Sequence, residues 1–188
     1  NEQLVILIRL DAFRFTGKTK KQLLWDAHML LGKSEKKPEN KPLFYEKPKE
    51  FVLPELEQSR IEDAYDEIEL LGFPVSVSNF DLLETRYRGN IHAKDLSHHI
   101  GKKIRILGNL VTIKNVRTVK HEWMHFGCFL DTSGEFFDTV NFPNSLKQYP
   151  FRGYGVYLIL GTVVEEFGFP SIEVEKMAKL SFKKDPRY

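Results

Sequence analysis

A short segment in the second half of the chain carries the residue types of a zinc hydrolase. His121, Glu122 and His125 form the pattern H-E-x-x-H, which on a helix places both imidazoles on one zinc ion with the glutamate as general base. The flanking residues 116–119 and 126–130 are instead rich in β-forming types. In a strand the two histidines would lie about 13 Å apart, too far to share a zinc ion with bonds of about 2 Å. We therefore predict no metal and no cofactor, and we keep a zinc hydrolase only as the least favoured of three hypotheses.

The sequence contains no other catalytic motif. It has no phosphate-binding P-loop, no dinucleotide-binding glycine pattern and no nucleophile elbow. Four carboxylates have the spacing of a solvated helix face rather than of an acid–base pair. They are Asp63, Asp66, Glu67 and Glu69. We therefore expect this chain to be non-catalytic by itself.

Basic and aromatic residues are mixed over residues 114–152. Single-stranded DNA is held by cations that follow its backbone and by rings that stack on its bases. The candidate nucleic-acid-binding residues are Lys114, Arg117, Lys120, Trp123, His125, Phe126, Phe136, Lys147 and Arg152. The aromatic residues also suit a protein core, and strand alternation requires that either Phe136 or Phe137 points inward. The sequence leaves open which of the two does so.

Five runs of β-forming residues would position these side chains. The runs are 104–119, 123–130, 135–142, 156–166 and 171–180. Three strands, a longer connection at 143–155 and two more strands is the order of a five-stranded Greek-key OB barrel. That fold commonly binds oligonucleotides on strands 2 and 3 and on the loops joining strands 1–2 and 4–5. We therefore predict a mainly β protein with a helical N-terminal part and an OB-fold domain at 101–188.

Three segments precede the predicted barrel. Residues 1–32 have helical patterns, residues 33–58 form a linker rich in Pro, Lys and Glu, and residues 59–100 form short bridging helices. The linker contains one apolar island at 43–45, Leu-Phe-Tyr. Such an island is either a docking peptide for another protein or a strap that packs on a neighbouring domain.

Two capping boxes predict where helices begin. Thr19 with Gln22, and Ser59 with Glu62, have the spacing at which side chain and backbone satisfy each other's hydrogen bonds. We expect the first helix at about 20–31 and the second at about 60–71, where an apolar stripe ends at Gly72. Three cations lie at the first of these helix starts, where the helix dipole disfavours positive charge. They are Lys18, Lys20 and Lys21. These lysines either contact phosphate or lie in a solvated turn.

Charge and cysteine content narrow the class of protein. The net charge is only +2, but residues 61–100 carry three basic and eight acidic side chains whereas residues 101–188 carry thirteen and nine. A basic barrel suits a polyanionic partner. The lone Cys128 excludes an internal disulfide and fits a reducing compartment. With no secretory pattern and no long apolar run, we expect a cytoplasmic protein, cut from a longer chain because residues 4–8 begin it with an apolar run.

Three stretches resemble the C-terminal portion of bacterial replicative DNA polymerase III alpha subunits. LIRLDAF and GKTKKQLL, at 7–13 and 17–24, are similar to the end of that family's helix-hairpin-helix region. EIELLGFPVS at 67–76 resembles the family's bridge into its OB domain. FLDTSG and DTVNFP, at 129–134 and 138–143, resemble its OB-domain hairpin. The resemblance therefore covers most of the chain.

The resemblance implies an accessory role in DNA replication. The parent protein would be a DNA-directed DNA polymerase, a nucleotidyltransferase whose catalytic carboxylates lie upstream of this chain. The OB domain would hold single-stranded template, and other holoenzyme subunits would be partners. Family members commonly carry a sliding-clamp peptide between the helical region and the OB domain, which places Asn40, Leu43 and Phe44 as its candidates. The alternative is a protein–protein interaction module in which the barrel is only a scaffold.

Overall fold

The computed structural model describes residues 2–32, 54, 59–89 and 91–188. The candidate clamp residues Asn40, Leu43 and Phe44 lie outside the described residues, as does the predicted linker apart from Pro54. None of the helices described is long and apolar enough to cross a membrane.

The chain divides into two compact units. One is Asn1–Val77 with Lys184–Tyr188, and the other is Ser78–Lys183. The division falls earlier than residue 101, the predicted start of the OB domain, because the segment before the barrel packs on it. Leu96 belongs to the buried cluster of the barrel interior, and Phe80 belongs to a second cluster against Leu107.

The helices of the first unit begin largely where the sequence predicts. They are α1 (Glu2–Arg9), α2 (Lys20–Gly32) and α3 (Arg60–Leu71). The capping box of α2 is formed, since the Thr19 amide donates to Gln22 Oε1 at 3.0 Å and the Gln22 amide donates to Thr19 Oγ1 at 3.2 Å. Ser59 is the N-cap of α3, but its side chain makes no capping hydrogen bond.

The predicted solvated face of α3 holds for Glu69, which is exposed, and is wrong for the other three carboxylates. Glu67 is only 3 % exposed and accepts hydrogen bonds from the backbone amides of Val75 and Ser76. Asp63 lies 3.1 Å from the buried ammonium of Lys20, and Asp66 pairs with guanidinium groups of Arg9 and Arg187. A buried carboxylate needs such partners to offset its lost hydration. These charges therefore hold the helices together, and Lys20 lies in neither a solvated turn nor a phosphate site.

The second unit is a closed five-stranded barrel, as predicted. Its strands are β1 (Lys103–Arg117), β2 (Trp123–Leu130), β3 (Phe136–Asn141), β4 (Val156–Glu166) and β5 (Phe169–Lys179). They are arranged in the order β1-β2-β3-β5-β4, with β3 and β5 parallel and the other pairs antiparallel. The insert between β3 and β4 carries a short helix, α4 (Pro143–Gln148). This is the OB fold.

Strand alternation decides which side chains enter the barrel. Phe129 of β2 is opposite Phe137 of β3, and their rings stack at 5.5 Å in the interior. The register of β1 shifts between Leu110 and Thr112, so its inward-facing positions change parity there. Close packing also fixes Gly161 on β4, where an added Cβ would lie 2.2 Å from the carbonyl oxygen of Glu173.

The turn between β2 and β3 is built on a buried carboxylate. Asp131 is 2 % exposed and accepts hydrogen bonds from the amides of Ala93, Ser133 and Glu135. Burial alone would raise the pKa of Asp131, but these N–H groups and the hydroxyl of Ser133 outweigh it and hold that pKa below its usual range. The Ala93 bond ties the 3-10 helix Ala93–His99 to the barrel.

Candidate nucleic-acid interface

The H-E-x-x-H pattern runs from the β1–β2 turn, residues 118–122, into β2 and does not form a helix. The Thr118 amide donates to the carbonyl of Glu122 at 2.9 Å, and His121 has a left-handed φ of 60° in this turn. His125 lies on β2. The two imidazoles therefore do not share a helix face. Within the described parts of the chain, no group of three or more metal-binding side chains is placed to hold an ion.

The same turn presents cations and an aromatic ring at the rim of the barrel. Arg117 and Trp123 are paired across β1 and β2, and the guanidinium lies 4.7 Å from the ring centroid. This is a cation–π contact, and it leaves Trp123 51 % exposed. Lys114 and Lys120 are exposed beside it. Arg117 thus covers one side of the Trp123 indole and places a planar cation next to the exposed part of the ring.

Alternation separates the remaining candidates on β2. His125 shares the inward parity of Phe129 and packs against Phe151 at a centroid distance of 5.9 Å. Burial lowers the pKa of His125, and its Nδ1 is buried without a hydrogen-bond partner among the described residues. Its placement therefore favours a packing role over contact with DNA. Phe126 has the opposite parity and is paired with Lys114 of β1.

We name the outward positions of these two strands the β2–β3 face. They are Met124, Phe126, Cys128 and Leu130 of β2 with Phe136, Asp138 and Val140 of β3. The structure resolves the choice that the sequence left open, because Phe137 is buried and Phe136 is 63 % exposed. At the centre of the face, burial and the neighbouring Asp138 raise the pKa of the Cys128 thiol to about 11. The thiol is therefore protonated at neutral pH.

The β4–β5 turn adds two rings that sequence reasoning missed. Phe167 is 99 % exposed and Phe169 is 76 % exposed. In the parallel ladder Asp138 pairs with Ser171, so Phe136 and Phe169, each two residues earlier, occupy equivalent positions on neighbouring strands. The signal was present in the sequence, since an F-G-F triplet at a hairpin tip places apolar rings where turn residues are usually polar.

Phe167 is also held in an unfavourable backbone conformation. Its φ is 53° and that of Gly168 is 81°, so both central residues of this two-residue hairpin are left-handed. Such turns favour Asn-Gly, because the left-handed region costs most side chains about 1–2 kcal/mol. A strained residue that buries nothing is a candidate for a contact made outside the fold.

The last two candidates lie on the insert between β3 and β4. Lys147 of α4 is exposed and pairs with Glu122 of the β1–β2 turn at 2.9 Å, so its charge is offset there. Arg152 has an exposed side chain, while its backbone amide donates to the hydroxyl of Tyr157 at 2.7 Å. Both stay predicted contacts, with Lys147 the weaker because it is already paired.

Comparison with known proteins finds likenesses in structure and none in sequence. No family model and no curated protein sequence matches this chain. Similar solved structures include the single-stranded DNA binding protein of Thermus aquaticus (TM-score 0.40, 12 % identity, 44 % of this chain and 42 % of that one). They also include U. maydis replication protein A bound to ssDNA (TM-score 0.34, 13 % identity, 48 % of this chain and 70 % of that one). A third is a mitochondrial single-stranded DNA binding protein of S. cerevisiae (TM-score 0.36, 9 % identity, 44 % of this chain and 97 % of that one). The match thus covers less than half of the first of these chains.

Proposed function

We propose that the barrel binds single-stranded DNA along the β2–β3 face. The observation that carries this proposal is the set of exposed rings, Phe136, Phe167 and Phe169, at the opposite end of the face from the basic β1–β2 turn. β3 is six residues long, so the two ends lie roughly 20 Å apart. Nucleic-acid sites of about 4–16 nucleotides per OB fold have this scale.

The charges on the face favour a particular arrangement of the strand. Cations gather at the β1–β2 turn, where Lys114, Arg117 and Lys120 suit phosphates. Asp138 stands at the centre beside Cys128 and would repel a phosphate there. The rings of Phe136 and Phe169 suit bases. The backbone would therefore be held mainly at the β1–β2 turn, and the bases would stack towards the β4–β5 turn.

Titration of a fluorescent oligo-dT at two salt concentrations tests the proposal. Lys114→Ala with Lys120→Ala should weaken binding and reduce the salt slope by about 1.4, at roughly 0.7 per lost phosphate contact on a single strand. The matched control is Lys94→Ala with Lys184→Ala, two exposed lysines outside the face. Binding by the wild type that does not change with salt would contradict the proposal, as would equal losses in the two double variants.

We further propose that this chain is the accessory part of a replicative DNA polymerase III alpha subunit. The support is the sequence resemblance at 7–24, 67–76 and 129–143. In this proposal Asn40, Leu43 and Phe44 dock the sliding clamp, and the barrel holds template near a polymerase site elsewhere in the protein. Leu43→Ala with Phe44→Ala should abolish capture by the clamp while oligonucleotide affinity is unchanged. Capture that survives this change would remove the clamp assignment.

A further inference from the structure

A second basic groove lies on the barrel away from the β2–β3 face. We name it the β1 groove. Its lining residues are Tyr87, Ile91, His99, Lys102, Lys103, Ile104, Arg105 and Leu160, and its volume is about 580 Å³. A groove of this size accepts a group as large as a nucleotide. Its cations come from the start of β1 and the turn before it, and Ile91 and Leu160 supply an apolar floor.

The charge of the β1 groove is largely uncompensated. None of its lining residues is a carboxylate. Lys103 pairs with Glu175 at 2.7 Å, whereas Lys102 and Arg105 are exposed and form no ion pair with any residue the structure describes. The Nδ1 of His99 lies 2.8 Å from the carbonyl oxygen of Asp95, to which it must donate, so the ring is held in place. Two cations, a fixed imidazole and the ring of Tyr87 suit a phosphate with an attached planar group.

The β1 groove is separated along β1 from the cations near the β1–β2 turn, which lie at one end of the β2–β3 face. Arg105 and Lys114 are both on β1, nine residues and up to about 30 Å apart. Between them Leu107 is buried under Phe80, Leu83 and Val156. An oligonucleotide that just fills the β2–β3 face therefore leaves the β1 groove empty, and only a longer strand reaches both.

We propose that the β1 groove is a second contact for the same single strand of DNA, with phosphate on Lys102 and Arg105 and a base or sugar against Tyr87. This inference rests on the proposed function, because the strand must first be bound by the barrel. It extends that function, since it makes the binding site longer than one OB face and makes affinity depend on strand length.

Oligo-dT of about 4 and about 30 nucleotides, titrated against the full chain, tests the inference, because the shorter strand matches a face roughly 20 Å long. Lys102→Glu with Arg105→Glu should weaken binding of the long strand about tenfold and leave the short strand within twofold. For the long strand the salt slope should fall by about 1.4. The matched control, Lys94→Glu with Lys184→Glu, makes the same charge change outside the groove and should leave the ratio of the two affinities unchanged. All four positions are exposed, and thermal melts verify that each variant is folded.

The possible results are separable. A loss confined to the long strand and absent from the control supports the second contact. A double variant that behaves like its control at both lengths overturns the inference and leaves the proposed function standing. An equal loss at both lengths also overturns it, because the groove would then belong to a single site. Failure of the wild type to bind either length overturns the proposed function and this inference together.

Discussion

The β4–β5 turn gives the sharpest test of the interface, because one substitution there should change stability and DNA affinity in opposite directions. Phe167 has a φ of 53° and is 99 % exposed, and Gly168 follows it with a φ of 81°. Asn is the residue that this position of the turn favours. Phe167→Asn should therefore stabilise the barrel and weaken its binding of DNA.

Both magnitudes follow from the geometry. An ordinary side chain pays about 1–2 kcal/mol in the left-handed region, and Asn recovers part of that, so we expect a gain of about 0.5–1 kcal/mol. The ring buries nothing, so its removal costs no packing. For a unit of this size, the melting temperature should rise by about 2–6 °C. Loss of one stacked base costs about 1–3 kcal/mol, or roughly five- to more than a hundredfold in Kd.

Thermal melts and oligo-dT titrations measure the two effects separately. Phe167→Tyr keeps the ring and the backbone strain, so both stability and affinity should match the wild type. Val119→Asn replaces another residue that is 99 % exposed, at the β1–β2 turn, and should change stability by less than about 0.5 kcal/mol. If Phe167→Asn lowers the melting temperature, the strain argument is wrong. If it raises the melting temperature but leaves affinity unchanged, the ring does not contact DNA.

Three further predictions concern the barrel. Asp131→Asn should lower the free energy of unfolding of the barrel by about 2 kcal/mol or more at neutral pH, as measured by urea titration. Because the folded-state pKa of Asp131 is lowered, this difference from wild type should be fully present above about pH 5 and should shrink as the pH falls below about 4. Gly161→Ala should lower the free energy of unfolding by about 1–3 kcal/mol in the same titration, since the added Cβ would lie 2.2 Å from the Glu173 carbonyl oxygen. An unchanged stability would refute that close approach. Cys128 should react slowly with iodoacetamide at pH 8 and faster up to about pH 11, and rapid labelling at pH 7 in folded protein would contradict its raised pKa.

The strands were predictable because each is a run of β-forming residues bounded by turn residues. Helix α3 was predicted to within a residue for a similar reason, since its apolar stripe and Gly72 mark its length and its end. The burial of Glu67 was not predictable from this pattern. A helical pattern describes one helix alone, whereas the amides of Val75 and Ser76, which bury that carboxylate, come from the loop that follows.

The candidate site was only partly predictable, because parity depends on register. One shift on β1, between Leu110 and Thr112, changes which of its side chains point outward beyond that point. The choice between Phe136 and Phe137 depended on the same kind of detail, and only their neighbours across the ladder decide it. Residues in turns escape this difficulty, so the cations near Lys120 could be proposed from composition while the inward placement of His125 could not.

Positive charge is not spread evenly over the surface of the barrel. The β2–β3 face has an acid at its centre, Asp138, and the β4–β5 turn follows Glu165 and Glu166. A duplex, which presents phosphates along its whole length, would meet these carboxylates directly. A single strand can turn its bases towards them and keep its phosphates on the cations of the β1–β2 turn and the β1 groove. This pattern favours unpaired DNA, and competition by an equal-length duplex should therefore be weak at a salt concentration where oligo-dT is still bound.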